Sequence, residues 1–227
     1  MPIILGVRVD QVTLNQAVKR VEAWLKQPQK RYIVTPNPEI VMLAQKDQEF
    51  KKILNQADLA ICDGWGLKLA APKLTRVSGI DLMLALIKRG HKTLLVGAGP
   101  GIAQKAAETL RTVLVGLPAR TVLAGISEPD VATINRFHPE FLFVALGHGK
   151  QERWIAKNLP KLNVKVAMGV GGALDQIAKP WLRAPACLQA CGLEWLYRLM
   201  LQPWRLKRQL ALLKFLAKIY FNGHDSR

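Results

Sequence analysis

Residues 31–39 read Arg-Tyr-Ile-Val-Thr-Pro-Asn-Pro-Glu, and the fold class can be predicted from the pattern that this stretch begins. Its apolar beginning predicts a short buried strand that ends before the polar turn at Thr35. Asn37 is suited to cap a helix that begins at Pro38, because the first helical position needs no amide hydrogen. The stretch therefore predicts a strand, a tight turn and a helix in succession.

The same alternation recurs along the chain. Strands are predicted at residues 31–34, 59–62, 93–96, 121–123, 141–146 and 164–168, where branched apolar residues are concentrated. Helices are predicted at residues 14–25, 39–45, 81–88, 102–110 and 151–158, with a capping box of Thr13 and Gln16 at the first. This alternation predicts an α/β fold with a mostly parallel sheet and helices on both faces.

The length and composition limit the number of domains and the kind of partner that the protein binds. A chain of 227 residues, 50% of them hydrophobic, is long enough for one domain with a modest appendage and too short for two full domains. The formal net charge of +17 favours a polyanionic partner: nucleic acid, an anionic membrane surface or phosphorylated substrates. Composition alone does not choose among these three.

The three cysteines, Cys62, Cys187 and Cys191, indicate neither a disulfide framework nor a zinc site, because their number is odd and only the last two are close in sequence. The histidines are scattered without metal-ligand spacing, so His148 is given a loop role. The amino terminus lacks a signal-peptide pattern, and no run reaches the roughly 18 apolar residues of a membrane-spanning helix. We therefore expect a cytoplasmic protein without a metal.

The composition changes near the carboxyl terminus. From Lys179 onward nine Lys or Arg residues accompany two acids, with many aromatic and aliphatic residues between them. Pro203 interrupts the helical pattern, so one helix is predicted near residues 188–201 and another from Pro203. We therefore divide the chain into a core, residues 1–187, and a basic amphipathic appendage, residues 188–227. The apolar content of the appendage favours an anionic bilayer over nucleic acid as its partner.

Polar residues and glycines follow several strands, where a parallel sheet usually binds its ligand. Thr35 and Asn37 lie beside the start of a helix, where anions and sugar hydroxyls are readily held, although a plain strand-to-helix turn explains them equally well. Asp63 and Gly64 follow the strand at 59–62. A carboxylate in a partly desolvated crevice suits a general base, and this interpretation is favoured over a cap-only role for Asp63.

Two glycine-rich turns are weaker signals. Gly97 and Gly99 precede a helix after another strand, where free amide groups could approach a phosphate. Their spacing departs from the dinucleotide fingerprint and no acid follows the next strand, which disfavours a nicotinamide-dependent oxidoreductase. Gly171 and Gly172, followed by Asp175, form the second turn, and glycines there let the backbone approach a ligand closely.

No Asp-x-Asp pair follows a strand, so the usual holder of a divalent cation on a diphosphate is missing. Arg198, Arg205 and Arg208 are spaced by seven and three residues, which places them near one helix face. Guanidinium groups bind phosphate oxygens and stabilise the charge that develops on a diphosphate leaving group. These arginines are candidates for the catalytic set, and a solvated basic face is the alternative.

Short motifs follow one another along the chain: Thr35-Pro-Asn-Pro-Glu39, Asp63-Gly-x-Gly66, Arg76-x-Ser-Gly-x-Asp81, Lys150-Gln-Glu152, Gly169-Val-Gly-Gly-Ala-x-Asp175, Arg183-Ala-Pro185 and Gly192-Leu-Glu-Trp-Leu-Tyr-Arg198. In that order they resemble the TagA/WecG/CpsF family, glycosyltransferase family 26. The resemblance implies a Rossmann-like core with a membrane-directed appendage. It also implies an inverting, metal-independent enzyme without a cofactor, which transfers N-acetylmannosamine or a related hexosamine.

The substrates that the resemblance implies are a UDP-sugar donor and N-acetylglucosaminyl-diphosphate-polyprenol as acceptor, in cell-envelope polysaccharide or teichoic acid synthesis. It further implies a peripheral location on the inner face of the cell membrane and a homo-oligomer. Asp63 is implied as the base. The other implied site residues are Thr35, Asn37, Arg76 and Gln151 in the pocket and Arg198, Arg205 and Arg208 from the appendage. The alternative, a nonenzymatic peripheral membrane or nucleic-acid-binding protein, would need only the basic appendage.

Overall fold

The computed structural model shows a six-stranded parallel sheet with helices packed on both faces. It describes residues 2–114, 116–118, 121–185, 187–188, 191, 193–203 and 206–222, the side chains of residues 194, 198, 207–209 and 222 excepted. The strands are β1 (Ile3–Ile4), β2 (Val7–Arg8), β3 (Arg31–Val34), β4 (Leu59–Ala60), β5 (Thr93–Gly97), β6 (Leu123–Ile126), β7 (Phe141–Ala145) and β8 (Val166–Gly169). The helices are α1 (Leu14–Leu25), α2 (Pro38–Ala44), α3 (Gln48–Gln56), α4 (Trp65–Ala70), α5 (Gly79–Ile87), α6 (Ile102–Val113), α7 (Val131–Phe137), α8 (Lys150–Asn158), α9 (Ala173–Ala178), α10 (Glu194–Leu201) and α11 (Leu206–Asn222). Short 3-10 turns occupy Leu159–Lys161 and Pro180–Leu182.

The strand order across the sheet is β4-β3-β8-β7-β5-β6, and these strands pair in parallel. β1 and β2 form a separate antiparallel hairpin. Because the six strands run the same way, their carboxyl ends lie at one edge of the sheet. The loops after β3, β4, β7 and β8 are far apart in sequence, and this order makes them neighbours at that edge.

The core has two layers, one on each face of the sheet. Along β7, Phe141 and Phe143 face one layer, whereas Leu142 and Val144 face the other. Residues of α1, α5, α6 and α9 cover the first layer, and residues of α2, α3 and α8 cover the second. Apolar side chains on both faces are expected of a buried parallel strand. The predicted α/β, Rossmann-like fold is confirmed.

Local signals located several elements correctly. α1 and β3 have the predicted limits, and Thr13 and Gln16 form the predicted capping box. Asn37 caps α2, because its Oδ1 accepts a hydrogen bond from the amide of Ile40 at 3.0 Å. The sequence pattern did not predict α3, α4, α7 or α9. Of these, α4, α7 and α9 have seven residues or fewer, which is too short for a helical periodicity to stand out.

One predicted strand is misplaced. β6 begins at Leu123, where the predicted strand at 121–123 ended. Gly125 within β6 lies against α6, and a Cβ added to it would come within 2.1 Å of the carbonyl oxygen of Ala103. Alanine and glycine are poor strand formers, so residue propensity misses a strand that close helix packing requires.

The appendage forms α10 and α11, and Pro203 lies at the predicted interruption between them. α11 is described from Leu206 rather than from Pro203, and residues 204 and 205 lie outside the described residues. α10 begins at Glu194, and the helix start predicted near residue 188 falls in a stretch where residues 186, 189, 190 and 192 lie outside the described residues. α11 packs against α2 and α4, and Phe215 is fully buried in the same core layer as Ile40 and Val41. The appendage therefore shares the core of the protein, and the division at residue 187 stays a prediction.

Candidate functional site

A cavity of about 470 Å³ opens at the carboxyl edge of the sheet. Its walls are the loops after β3, β4, β7 and β8, the loop before α5, and parts of α4, α9 and the appendage. The polar residues and glycines that follow the strands predicted a site at this edge. The lining residues are Thr35, Asn37, Pro38, Glu39, Asp63, Gly64, Trp65, Gly66, Leu69, Arg76, Ser78, Gly79, Ile80, His148, Val170, Gly171, Gly172, Ala173, Gln176, Cys191, Leu193, Trp195, Leu212 and Leu216.

One wall brings Asp63 and Thr35 together. Thr35 follows β3 and is 6% exposed, and Asp63 comes after β4 and is half-buried. Their closeness is visible at Gly79, where an added Cβ would lie 3.2 Å from Thr35 Cγ2 and 3.6 Å from Asp63 Oδ2. This wall presents a half-buried carboxylate to the cavity, and such a group is suited to accept a proton from a bound hydroxyl.

The turn after Asp63 separates its carboxylate from the helix that follows. The N-cap position of α4 is Gly64, whose φ of 100° favours glycine. Gly66 allows close packing, because an added Cβ would lie 2.3 Å from Pro38 and 3.1 Å from Leu212. Since Gly64 occupies the cap position, capping of α4 does not explain Asp63.

His148 enters the cavity from the loop after β7 and contacts Glu39 in the first turn of α2. Its Nδ1 lies 3.0 Å from Glu39 Oε2. A Cβ added to Gly171 would lie 3.4 Å from His148 Nε2, so the ring also borders the loop after β8. A loop role alone is therefore an incomplete description of His148. The two partners are 109 residues apart, and no local pattern connects them.

The loop after β8 supplies Gly171 and Gly172 to the lining, as expected, but Asp175 lies outside it in the first turn of α9. The next residue, Gln176, lines the cavity and is 6% exposed. Successive helical residues point about 100° apart, which is why Gln176 and not Asp175 lines the cavity, and a binding role of Asp175 stays a prediction. Gln176 Nε2 donates to Gly172 O at 3.3 Å, while Oε1 is buried without a partner among the described residues. Such an oxygen is costly, which makes Gln176 a further candidate for ligand contact.

Gln151 lies beneath the cavity, outside the residues that line it, and it is fully buried. Its Oε1 accepts from the amide of Gly171 at 2.9 Å, and its Nε2 donates to Glu152 Oε1 at 2.8 Å. Gln151 thus shapes the pocket through the backbone of the β8 loop. The motif Lys150-Gln-Glu152 predicted Gln151 as a site residue, whereas the contact between Gln151 and Glu152 is visible only in the structure.

Gly97 and Gly99 follow β5 and lie outside the residues that line the cavity. A Cβ added to Gly97 would come within 2.7 Å of the carbonyl oxygen of Ala145 in β7. Close strand packing therefore explains Gly97 without a ligand. β5 is the direct neighbour of β7, whose loop supplies His148 to the cavity, but the loop after β5 itself contributes no residue to the lining.

The predicted cations are only partly described. Arg76 lines the cavity, half-buried beside Ser78. Arg205 lies outside the described residues, as do the side chains of Arg198 and Arg208. The catalytic role of these three arginines stays a prediction.

Other residues of the motifs have structural explanations. Arg183 Nη2 lies 2.6 Å from Asp81 Oδ1, so one ion pair joins two of the motifs. Both side chains are partly exposed, and such pairs contribute at most about 1 kcal/mol. Burial, followed by the negative charge of Asp63, raises the pKa of Cys62 to about 11. The thiol of Cys62 therefore stays protonated near neutral pH and is no nucleophile there.

The appendage contributes an apolar wall to the cavity through Leu193, Trp195, Leu212 and Leu216. Within the described ranges, no helix is long and apolar enough to cross a membrane. The same ranges contain no group of three His, Cys, Asp or Glu side chains that could hold a metal ion. The cavity is thus polar along the strand ends and apolar along the appendage.

Comparison with known proteins reveals the family. The model of the glycosyl transferase WecG/TagA/CpsF family matches residues 2–227. The chain belongs to this family. An N-acetylglucosaminyldiphosphoundecaprenol N-acetyl-beta-D-mannosaminyltransferase of Staphylococcus aureus (strain MRSA252) is 32% identical over 230 residues, which cover 95% of this chain and 91% of that protein. Proteins of the same name from strains NCTC 8325 / PS 47 and COL are 31% identical over 230 residues with the same coverage.

Membership of the WecG/TagA/CpsF family makes this protein a glycosyltransferase, which confirms the resemblance read from the motifs. The nonenzymatic alternative is therefore wrong. The family match spans the polar strand-end wall and the appendage alike, because it extends over residues 2–227. The roles of individual cavity residues stay predictions.

Proposed function

We propose that this glycosyltransferase moves N-acetylmannosamine from a UDP-sugar to N-acetylglucosaminyl-diphosphate-polyprenol, in the synthesis of a cell-envelope polysaccharide or teichoic acid. The similar Staphylococcus aureus proteins are named for a transfer of this kind. The observation that carries the proposal is the half-buried carboxylate of Asp63 beside Thr35 in the cavity wall. A sugar hydroxyl needs such a base to become a nucleophile.

The proposed mechanism is a single displacement. Asp63 accepts the proton of the acceptor hydroxyl while that oxygen attacks the anomeric carbon of the donor. The bond between the anomeric carbon and the UDP oxygen breaks as the new C–O bond forms, and its electron pair leaves with UDP. One displacement inverts the anomeric centre, so an α-linked donor yields a β-linked product. The names of the Staphylococcus aureus relatives specify a β-linked sugar, which supports inversion.

Cations must balance the charge that develops on the departing diphosphate. Arg76 lines the cavity, and a guanidinium group can bind two phosphate oxygens at once. We assign the same role to Arg198, Arg205 and Arg208 of the appendage. Positioned cations of this kind stabilise a leaving group in the transition state, so the proposed transfer requires no metal ion.

We propose that the acceptor lipid binds on the appendage side of the cavity, where the apolar wall lies. Several apolar side chains of α10 and α11 are exposed to solvent, and an amphipathic surface of this kind favours contact with anionic lipid. We propose a peripheral location on the inner face of the membrane, and a homo-oligomer stays a prediction. The exposed side chains are Trp195, Leu196, Met200, Leu201, Leu206, Leu210, Leu213, Tyr220 and Phe221.

The test is a transfer assay with purified protein, UDP-N-acetylmannosamine and a short-chain N-acetylglucosaminyl-diphosphate-prenol, in the presence and absence of EDTA. We expect UDP and disaccharide-lipid in equal amounts, dependence on the acceptor, no loss in EDTA, and a β-linkage by proton NMR. Other UDP-hexosamines serve as donor controls. Absence of product with every donor would contradict the proposed function, and loss in EDTA would contradict metal independence.

A further inference from the structure

Beneath the cavity, Gln151 and Glu152 at the start of α8 connect two loops through hydrogen bonds. The amide of Gly171 donates to Gln151 Oε1 at 2.9 Å, and Gln151 Nε2 donates to Glu152 Oε1 at 2.8 Å. The other carboxylate oxygen, Glu152 Oε2, accepts from the amide of Gly149 at 2.7 Å. Each end of this series is a backbone amide, one in the loop after β8 and one in the loop after β7.

The chemistry of the two side chains follows from the direction of these bonds. A backbone amide can only donate, so the oxygen of Gln151 faces Gly171 and its NH2 group faces Glu152. Glu152 must therefore accept from two donors, one on each oxygen. A carboxylate does this, whereas a carboxamide has one oxygen and one NH2 group and cannot.

Both side chains are withdrawn from solvent, with Gln151 0% and Glu152 1% exposed. A buried carboxylate is costly unless its oxygens are hydrogen-bonded, and here each of them accepts one. Space around the pair is limited, because a Cβ added to Gly169 would lie 2.7 Å from Gln151 Nε2. The pair is therefore held in one arrangement by packing as well as by hydrogen bonds.

The two loops that this pair connects meet at the cavity. His148 of the first loop and Gly171 of the second both line it, and a Cβ added to Gly171 would be 3.4 Å from His148 Nε2. Gly149 and Gly171 have φ values of 80° and 52°, in the left-handed region. Glycines adopt many backbone conformations at similar cost, so an external restraint decides which one such loops keep.

We propose that Glu152 is a positioning residue for glycosyl transfer, which holds the β7 loop directly and the β8 loop through Gln151. Neither side chain touches the substrate. Together they set the distance between His148 and Gly171 and so preorganise this wall of the cavity for the donor. The inference deepens the proposed function and rests on it.

The test uses three variants of the full-length protein: Glu152→Gln, Gln151→Glu, and the double variant that exchanges the two residues. In Glu152→Gln, an NH2 group must face either Gly149 or Gln151, and one hydrogen bond is lost. In Gln151→Glu, two carboxylates face each other. In the exchange variant, the carboxylate at position 151 accepts one hydrogen bond from the backbone amide of Gly171 and one from the side-chain NH2 group at position 152. The side-chain oxygen at position 152 accepts from the backbone amide of Gly149. The exchange variant therefore restores all three hydrogen bonds.

We expect each single variant to raise the KM for UDP-N-acetylmannosamine about tenfold with a smaller change in kcat, because Asp63 lies on another wall. The exchange variant should return KM to within about threefold of wild type. Ile155→Val, in the buried face of α8, is the matched control, because it should lower the melting temperature and leave KM unchanged. Wild-type KM in Glu152→Gln would overturn the inference. Failure of the exchange to restore KM would also overturn it, since Gln151 would then contact substrate itself.

Hydrogen–deuterium exchange separates this inference from the proposed function, because it needs no substrate. Faster amide exchange of the loops at 147–149 and 169–173 in Glu152→Gln, reversed in the exchange variant, supports the inference even if wild type transfers no sugar. Unchanged exchange of both loops in Glu152→Gln overturns it, whatever the transfer assay gives. If the wild-type protein transfers no sugar but its two loops exchange more slowly than those of Glu152→Gln, only the proposed function is refuted.

Discussion

The carboxyl edge of the sheet has two halves with similar sequence signals and different structures. The half formed by β4, β3 and β8 carries the cavity together with the loop after the neighbouring β7, whereas Gly97 and Gly99 after β5 lie outside its lining. Both halves have glycine-rich turns after buried strands. α11 packs against α2 and α4, and so covers the first half and encloses its loops. A strand-end motif therefore marks a site only where strand order and a covering helix build walls around it.

The largest expected effect is in the half that carries the cavity. Asp63→Asn should lower kcat for transfer by about 10² to 10⁴, because a carboxamide cannot accept the proton of the acceptor hydroxyl. KM and the melting temperature should change little, since the two side chains have nearly the same shape. Steady-state transfer kinetics and thermal unfolding measure these quantities. Wild-type kcat in this variant would remove Asp63 from the mechanism.

The second effect tests the covering helix. Phe215→Ala should lower the free energy of unfolding by about 3 to 5 kcal/mol, because Phe215 is fully buried between α11 and the core. Loosening of α11 should also slow the transfer of sugar from UDP-N-acetylmannosamine to the short-chain acceptor. Urea unfolding and the transfer assay measure the two losses.

Leu213→Ala is the matched control on the same helix, because Leu213 is 62% exposed. It should leave the free energy of unfolding within about 0.5 kcal/mol of wild type. Equal stability of the two variants would mean that α11 does not depend on the core, and the contrast between the two halves of the edge would need another cause.

A smaller effect is expected at Gly64, beside the proposed base. Its φ of 100° and ψ of 154° lie in a region that side chains rarely adopt, so Gly64→Ala should cost about 1 to 3 kcal/mol. The turn that carries Asp63 should shift with it and reduce kcat/KM. Chemical denaturation and transfer kinetics together measure this; a variant with wild-type values for both would show that the turn tolerates the strain.

The smallest effect is expected at Gly99, in the other half of the edge. An added Cβ there would meet Ile102 Cγ1 at 3.6 Å, an ordinary contact. Gly99→Ala should therefore change stability by less than about 0.5 kcal/mol and leave KM and kcat unchanged. A large rise in KM for the UDP-sugar would mean that the β5 loop reaches the donor, and it would extend the site across both halves.

Sequence alone was sufficient where the cause of a structure is local. Asn37 caps α2, Thr13 and Gln16 form their box, and β3 has its predicted limits, because each depends on residues within a few positions. β6 was misplaced because Gly125 is required by its contact with Ala103 of α6, which no local pattern records. The helical pattern predicted the long α1 and α6 and missed α4, α7 and α9, which have seven residues or fewer.

Local patterns in the chain were sufficient to predict the alternation of strands and helices, the sheet edge that carries the cavity, the family, and Asp63 as the candidate base. The packing of distant elements, by contrast, brings Gln176 instead of Asp175 into the cavity lining and His148 into contact with Glu39. It also places Gln151 and Glu152 beneath the wall rather than in it. The physical reason is that a capping bond or a strand's apolar run is set by neighbouring residues, whereas a cavity is set by which distant elements pack together.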